Sequence, residues 1–405
     1  MQVSSYFTTF YNLVMQILFQ TVFFLVSVFI IFYSYLGYGV LIYILLKFRR
    51  KSKKTTIGDD PGVTLIVAAY NEQDFIQTKI HNSLSLNYPK DKLRFIFITD
   101  GSTDATPEIV KRFPQITLMH EAARRGKTAA LNRAMKTVTT PIVVFTDANT
   151  LLNEDAIKEI TKHYSDPVVG GVAGEKKVIS NEDAKAEAGE GIYWKYESFL
   201  KKQDWDFYTV VGAAGELFSI RTELYEELNE NVLLDDFIIS LKVCSKGYRV
   251  AYEPNAYAIE SPSDSMKEEQ KRKIRISAGS IQAMIMLKSL LNPFKNPKLF
   301  FQYVSHRVLR WTLCPLLLPV IFILNIWICI HTGSIFFYLF LIMQIIFYLL
   351  AAIGWVLANK NVKSRMLYIP YYFVFMNASV YLGFIRYMKK NQSVLWEKAA
   401  RKKLE

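Results

Sequence analysis

Apolar and polar positions fall into two regimes along this chain. Residues 1–46 contain no Asp, Glu, Lys or Arg, and residues 21–46 alone exceed the ~20 residues a helix needs to cross a bilayer core. A removable secretory leader would carry a basic start and a shorter apolar run of about 7–15 residues, so a retained anchor is predicted. Residues 312–359 again lack all four charged types, and His331-Thr332-Gly333-Ser334 interrupts them. Two spans and a tight turn follow. Residues 366–385, bracketed by Arg365 and Arg386 and carrying Pro370 and Asn377, read as a further span.

Between these blocks the period shortens. Residues 55–62, with Gly58, Pro61 and Gly62, form a linker, and β-branched or aromatic runs follow at 63–69, 95–99, 116–119 and 142–146. Each precedes a helix-compatible stretch of about 10–15 residues, the spacing of parallel βαβ units in an α/β domain. Beyond residue 165 come a strand-like run at 168–178, a helical stretch at 184–202, a mixed piece at 216–221 and a helix at 235–246. Residues 266–291 are basic in their first half and apolar in their second, with Met284, Ile285, Leu287 and Leu290, which predicts an amphipathic helix lying on the membrane. Five segments result: an anchor with its basic flank at 1–54, a globular domain at 55–263, interfacial helices at 264–310, C-terminal spans at 311–388 and a basic tail at 389–405.

Charge changes the picture only when it is divided. The chain carries +13 in all, but residues 47–54 hold +6, residues 265–310 hold +8 and residues 360–405 hold +8, which leaves −9 for residues 55–264. An acidic domain is the wrong sign for gripping phosphate backbones, so nucleic-acid binding is excluded. Basic flanks beside apolar spans instead predict a cytoplasmic domain on the plasma membrane. Cys314 and Cys329 lie in the apolar block and Cys244 in the globular part, so neither a disulfide framework nor a cysteine metal site is available.

Candidate chemistry gathers where the strands end. In an open parallel sheet, ligands bind outside the carboxyl ends of the strands. The first predicted strand ends in Tyr70-Asn71-Glu72, the second in Asp100-Gly101-Ser102-Thr103-Asp104 and the fourth in Asp147-Ala148-Asn149. Turn formation or helix capping accounts for one such cluster singly, not for three on one edge. The dinucleotide glycine fingerprint is missing after the first strand. Gly126-Lys127-Thr128 is half a phosphate loop, with Glu121 where the full motif needs glycine.

Taken in order, Ala68-Ala69-Tyr70-Asn71-Glu72, Asp100-Gly101-Ser102, Gly126-Lys127-Thr128-Ala129-Ala130-Leu131-Asn132, Asp147-Ala148-Asn149, Gly215-Glu216-Leu217-Phe218-Ser219-Ile220-Arg221 and Leu234-Asp235-Asp236 resemble family 2 glycosyltransferases. The similarity is to the membrane group that includes cellulose, hyaluronan and poly-N-acetylglucosamine synthases, and it covers about residues 60–280. It implies a GT-A-type domain, Rossmann-like with a mostly parallel sheet, in the cytoplasm beside an α-helical transmembrane region. It also implies sugar transfer from a nucleotide-sugar donor, a UDP-sugar by resemblance, to a polysaccharide or lipid-linked acceptor. By resemblance Glu72 and Asp100 hold the base and ribose, and Lys127 faces the diphosphate. Asp147 matches the first acid of the family's metal-binding Asp-x-Asp, with Asn149 at the second place, which implies Mg²⁺ or Mn²⁺. Gly215 and Glu216 line the acceptor site. Asp236 corresponds to the base that deprotonates the acceptor hydroxyl, with Asp235 beside it; one of the two is expected to cap the helix they open.

One departure stands out. Processive members carry Gln-x-x-Arg-Trp, and this chain has Gln270-Lys271-Arg272-Lys273-Ile274. Gln270 and Lys273 remain diphosphate candidates, but Ile274 offers no aromatic platform, which puts long-chain processive synthesis in doubt. Trp311 reads as an anchor at the membrane boundary. Two alternatives stay open: single transfer to a polyprenyl phosphate or membrane lipid, and a non-catalytic nucleotide-sugar sensor or scaffold subunit of a synthase complex. Partners beyond donor, acceptor and membrane lipids would be synthase-complex subunits. One span before the domain and three after it would also put the basic tail outside, against the charge rule.

Overall fold

The computed structural model describes residues 2–48, 60–178, 187–261, 265–359 and 365–389. Most of the basic stretch at 47–54, the linker up to residue 59, the expected helix start at 184–186 and the tail beyond Lys389 lie outside the described residues.

The four predicted runs become β1 (Val63–Ala69), β2 (Leu93–Asp100), β3 (Ile116–Glu121) and β4 (Ile142–Asp147). β1 pairs in parallel with β2 and with β4, and β2 with β3. Every residue of β1 is buried, as a central strand covered on both faces requires. Its side chains alternate between two cores: Ile66 packs with Ile98 and Phe145 on one face, Leu65 and Val67 with Phe97 on the other.

The looser half of the domain completes the sheet with β5 (Thr150–Leu152), β6 (Val169–Val178), β7 (Phe218–Arg221) and β8 (Arg249–Glu260). The strand order is β3-β2-β1-β4-β7-β6-β8-β5. β7 runs antiparallel to β4 and β6, where Phe145 and Phe218 stack with centroids 4.7 Å apart. β5 is antiparallel to β8, and β6 is parallel to it. The sheet is therefore mixed, with four consecutive parallel strands, β3-β2-β1-β4, in the half that carries the strand-end acids. β8, which carries Pro254 in its middle, is not foreseen in the sequence. The register jumps from Gly174↔Glu253 to Glu175↔Tyr257, so Pro254 sits in a bulge where its missing N–H costs no ladder bond.

Among the described residues, four helices are long and apolar enough to cross a membrane: Tyr11–Lys47, Leu313–Thr332, Ile335–Ala358 and Met366–Met388. They mark a membrane protein. The predicted break falls at Gly333, whose φ of +60° gives the left-handed cap that ends the Leu313–Thr332 helix, its N–H donating to Cys329 O at 3.1 Å. The first of the four passes through a π-helical turn at Tyr33–Gly37. The helix Met266–Met286 stops short of the predicted residue 291. It packs against protein on two sides: Gly279 abuts Leu233 and Leu234, and Gly383 of the last apolar helix lies against Ser277 and Ala278, too close for a side chain.

Candidate active site

The parallel strands deliver their acids to one edge, but not all to one pocket. A cavity of about 740 Å³ opens there, lined by Glu72, Lys127, Asp147, Asn149, Asp235 and Asp236 among others. Lys127 is the cation among these acids. Gly126, at φ +102°, turns the chain into the Lys127–Met135 helix. The Lys127 ammonium then lies 2.8 Å from Asp147 Oδ1 and 3.6 Å from Asp235 Oδ2. Burial works against that charge, yet the carboxylates of Asp147, Asp235 and Asp236 outweigh it and hold Lys127 protonated well above the usual lysine range.

Gly215 shows how tightly these groups converge. A Cβ placed on it would stand 3.2 Å from Lys127 Nζ, 3.3 Å from Asp236 Oδ2 and 3.6 Å from Asp147 Oδ2. The glycine thus leaves open the space the three charges share, which is a sharper role than lining.

Asp235 and Asp236 open the helix Asp235–Ser245, and neither caps it: Leu234 holds the cap position and no side chain bonds there. This corrects the expected capping role. Both acids sit in the first turn, where the helix dipole favours negative charge. Asp236 Oδ1 accepts from Phe237 N at 2.8 Å. Burial, then the neighbouring Asp235 carboxylate, push Asp236 up to about 7 against the pull of Lys127. Asp235 is nearly inaccessible, and its Oδ2, near Lys127, is buried with no hydrogen-bond partner.

Other expected residues fall elsewhere. Asp100 is fully buried behind the Lys127 loop: its Oδ2 accepts from Arg125 N and Gly126 N at 3.0 and 2.7 Å, and its Oδ1 from Arg133 Nη1 at 3.3 Å. Its carboxylate shapes the loop that presents Lys127. Glu216 reaches the cavity wall but is engaged by Lys176 at 2.6 Å and Arg272 at 3.6 Å. Burial opposes its charge, but those two cations win and hold it well below the usual carboxylate range. Lys273 does line the cavity, yet it is largely buried, 3.4 Å from Glu269 and 5.9 Å from the Trp194 ring centroid. Gln270 stands outside the cavity lining, whereas Arg272 and Arg275 on the same helix contribute to it. Burial and Arg272 lower the Arg275 pKa, against Asp147, Asp235 and Asp236, which favour its charge. The i, i+3 spacing of these arginines on a helix was the available signal. Trp311, expected as a boundary anchor, packs its ring on Phe237 with centroids 5.1 Å apart and lines the cavity.

Lys79 was missed altogether. It is fully buried under the end of β4, donating to Thr146 Oγ1 at 3.0 Å and to Thr150 O at 2.8 Å, the residues flanking the Asp147 turn. Burial brings it down to about 7, against the attraction of Asp147.

Comparison with known proteins shows what this sheet edge is similar to. The model described as glycosyl transferase family 2 matches residues 64–228, from β1 to shortly before Asp235. Residues 64–228 are thus similar to a family 2 glycosyltransferase domain. Poly-beta-1,6-N-acetyl-D-glucosamine synthase of Staphylococcus aureus strain MSSA476 is 25% identical over 260 residues, 61% of this chain and 61% of that protein. The Staphylococcus epidermidis protein of the same name is 24% identical over 249 residues, 59% of this chain and 58% of its own. The chain thus spans about three fifths of the length of the curated relatives it matches. Among solved structures, the mannosyltransferase PcManGT from Pyrobaculum calidifontis, in complex with GDP-Man and Mn2+, superposes with a TM-score of 0.69 at 23% identity. The match covers 91% of this chain and 99% of that one. At that identity the likeness speaks for a shared fold alone, GT-A-like in the sheet domain.

Proposed function

We propose that this chain is a membrane-bound inverting glycosyltransferase, moving a sugar from a nucleotide-sugar donor to a glycan or lipid-linked acceptor at the cytoplasmic face of the plasma membrane. The observation that carries the proposal is the arrangement around Gly215, with an acid near pKa 7, Asp236, facing the Lys127–Asp147 pair across an open space. A base must be unprotonated at working pH yet basic enough to take a hydroxyl proton, and a value near 7 meets both needs. Asp236 would accept the acceptor's proton as its oxygen attacks the anomeric carbon. Lys127 would hold the diphosphate on the opposite side, giving one displacement with inversion. Glu72 lies at the β1 end of the cavity, in place for the nucleoside, which the motif resemblance makes uridine. Asp100 would position the Lys127 loop from behind.

A divalent cation, Mg²⁺ or Mn²⁺, fits the residues present. Among the described residues no three Asp, Glu, His or Cys side chains form a closed metal site. A hard cation that shares its shell with diphosphate oxygens needs only one or two protein carboxylates, and Asp147, with Asn149 beside it, supplies that. When bound, the ion would neutralise charge on the departing diphosphate.

Membranes containing the chain should release nucleoside diphosphate from at least one member of a panel of UDP- and GDP-sugars when an acceptor is present. Binding of nucleotide sugar with no release on any glycan or lipid acceptor would mark a sensor instead and end the proposal.

A further inference from the structure

Lys79 stands where a stable fold would place a hydrocarbon. On the helix Ile76–Leu84 it shares the buried face with Ile76, Ile80 and Ser83, and its side chain is fully enclosed. Among the described residues no carboxylate lies within ion-pair distance of its ammonium. Its three bonds go to neutral oxygens: Thr150 O at 2.8 Å, Thr146 Oγ1 at 3.0 Å and Thr150 Oγ1 at 3.4 Å. Enclosing an ammonium without a paired carboxylate works against stability. What the lysine supplies is direction.

In its charged form, which burial opposes and Asp147 favours, the lysine only donates, whereas a threonine hydroxyl gives one hydrogen and accepts others. With Lys79 donating to both hydroxyls, each must aim its own hydrogen away. Thr150 Oγ1 donates to Asp147 O at 3.0 Å, closing the turn from Asp147 to Thr150, and Thr146 Oγ1 donates to Glu216 O at 2.8 Å, beside Gly215. The two hydroxyls are 3.2 Å apart, close enough to bond each other once the ammonium is gone. Either such bond would release Asp147 O or Glu216 O. Lys79 therefore ties together both walls of the space around Gly215, where a Cβ on the glycine would stand 3.6 Å from Asp147 Oδ2.

Resting on the transferase function proposed above, we infer that Lys79 is a positioning residue for the cation-and-diphosphate side of the site. Through two threonine hydroxyls it holds the Asp147 turn against the Gly215-Glu216 segment, and it touches no substrate itself. A partner that orients a metal-binding carboxylate from behind is worth about 10–100-fold in metal affinity.

The test uses the full chain purified in dodecyl maltoside. Lys79→Met fills the position with a side chain that has no donor. Backbone hydrogen exchange should quicken in peptides holding residues 147–150 and 215–217 and stay unchanged in β2 and β3. The variant should melt no lower than wild type, because the buried charge is gone. Mn²⁺ affinity, read from the free-ion EPR signal with UDP and separately with GDP present, should weaken about 10–100-fold. Nucleotide release should fall at limiting Mn²⁺ and recover in part at saturating Mn²⁺. Thr150→Val keeps the lysine and removes one relaying hydroxyl; it should quicken exchange at residues 147–150 and weaken Mn²⁺ binding in the same direction. If no folded Lys79→Met protein is obtained, Thr150→Val decides by the same two readings. Unchanged exchange at both segments, exchange raised evenly across the sheet, or Mn²⁺ affinity within twofold of wild type in both variants would each overturn the positioning role. Local loosening and weaker Mn²⁺ binding as expected, with no nucleotide released from any donor by wild type, would instead overturn the transferase reading and leave the role of Lys79 standing.

Discussion

Asp236→Asn removes one negative charge from the site and nearly preserves its shape. In the folded chain the Asp236 carboxyl sits at about 7 against an ordinary 3.8, through burial and the adjacent Asp235 carboxylate. A displacement of about three pH units corresponds to about 4 kcal/mol, a ceiling because the side chain borders an open cavity. Proton linkage gives the sign. Between about pH 4 and about pH 7 the folded chain keeps a proton that the unfolded chain has lost, so this group lowers stability as pH rises through that window. Above about pH 7 the full cost is present. Asparagine carries no such cost, so the variant should melt above wild type at about pH 8, with the gap closing toward about pH 4. Turnover should move the other way, falling by about 10²–10⁴-fold as the general base is lost, with nucleotide-sugar binding retained. Wild-type turnover should rise with pH and level off, with its midpoint near 7. Thermal unfolding of the solubilised protein across this pH range, beside nucleotide release at each pH, reads all three effects. An Asp236→Asn enzyme within tenfold of wild type would remove the residue as base. A variant that melts below wild type at about pH 8 would show that burial does not strain this carboxylate.

Three further outcomes are expected. Lys127→Met should weaken nucleotide-sugar binding by about 10–100-fold, the worth of a charge-assisted hydrogen bond of about 1.5–3 kcal/mol. It should also move the pH midpoint of any residual turnover upward, since Asp236 loses the cation that favours its charge; an unmoved midpoint would break that coupling. Chelation should abolish nucleotide release and added Mg²⁺ or Mn²⁺ should restore it, while Asp147→Ala should not be restored; full activity in chelator would end the role given to Asp147. Gly212→Ala should destabilise the domain by about 2–5 kcal/mol, from the left-handed φ of +87° and an overlap with the Phe237 ring; an unchanged melting temperature would contradict that close approach.

Local pattern alone determined the apolar helices, β1 to β4 and the acids at their ends, because burial on both faces, uncharged runs and strand-end polar clusters are written in consecutive residues. The Gly333 break is equally local, since one glycine in the left-handed region suffices to end a helix. What escaped depends on partners far along the chain. β8 pairs with β6 only by bulging at Pro254, and Glu216 was claimed by Lys176 and Arg272. Asp100 turned inward because two backbone amides of the following loop point at it. Arg275 and Lys79 carry no motif; a charged side chain acquires a role only when tertiary packing strips its water and chooses its partner. The sequence named the acids of the site, while the folding of remote segments onto one another decided which of them share a space.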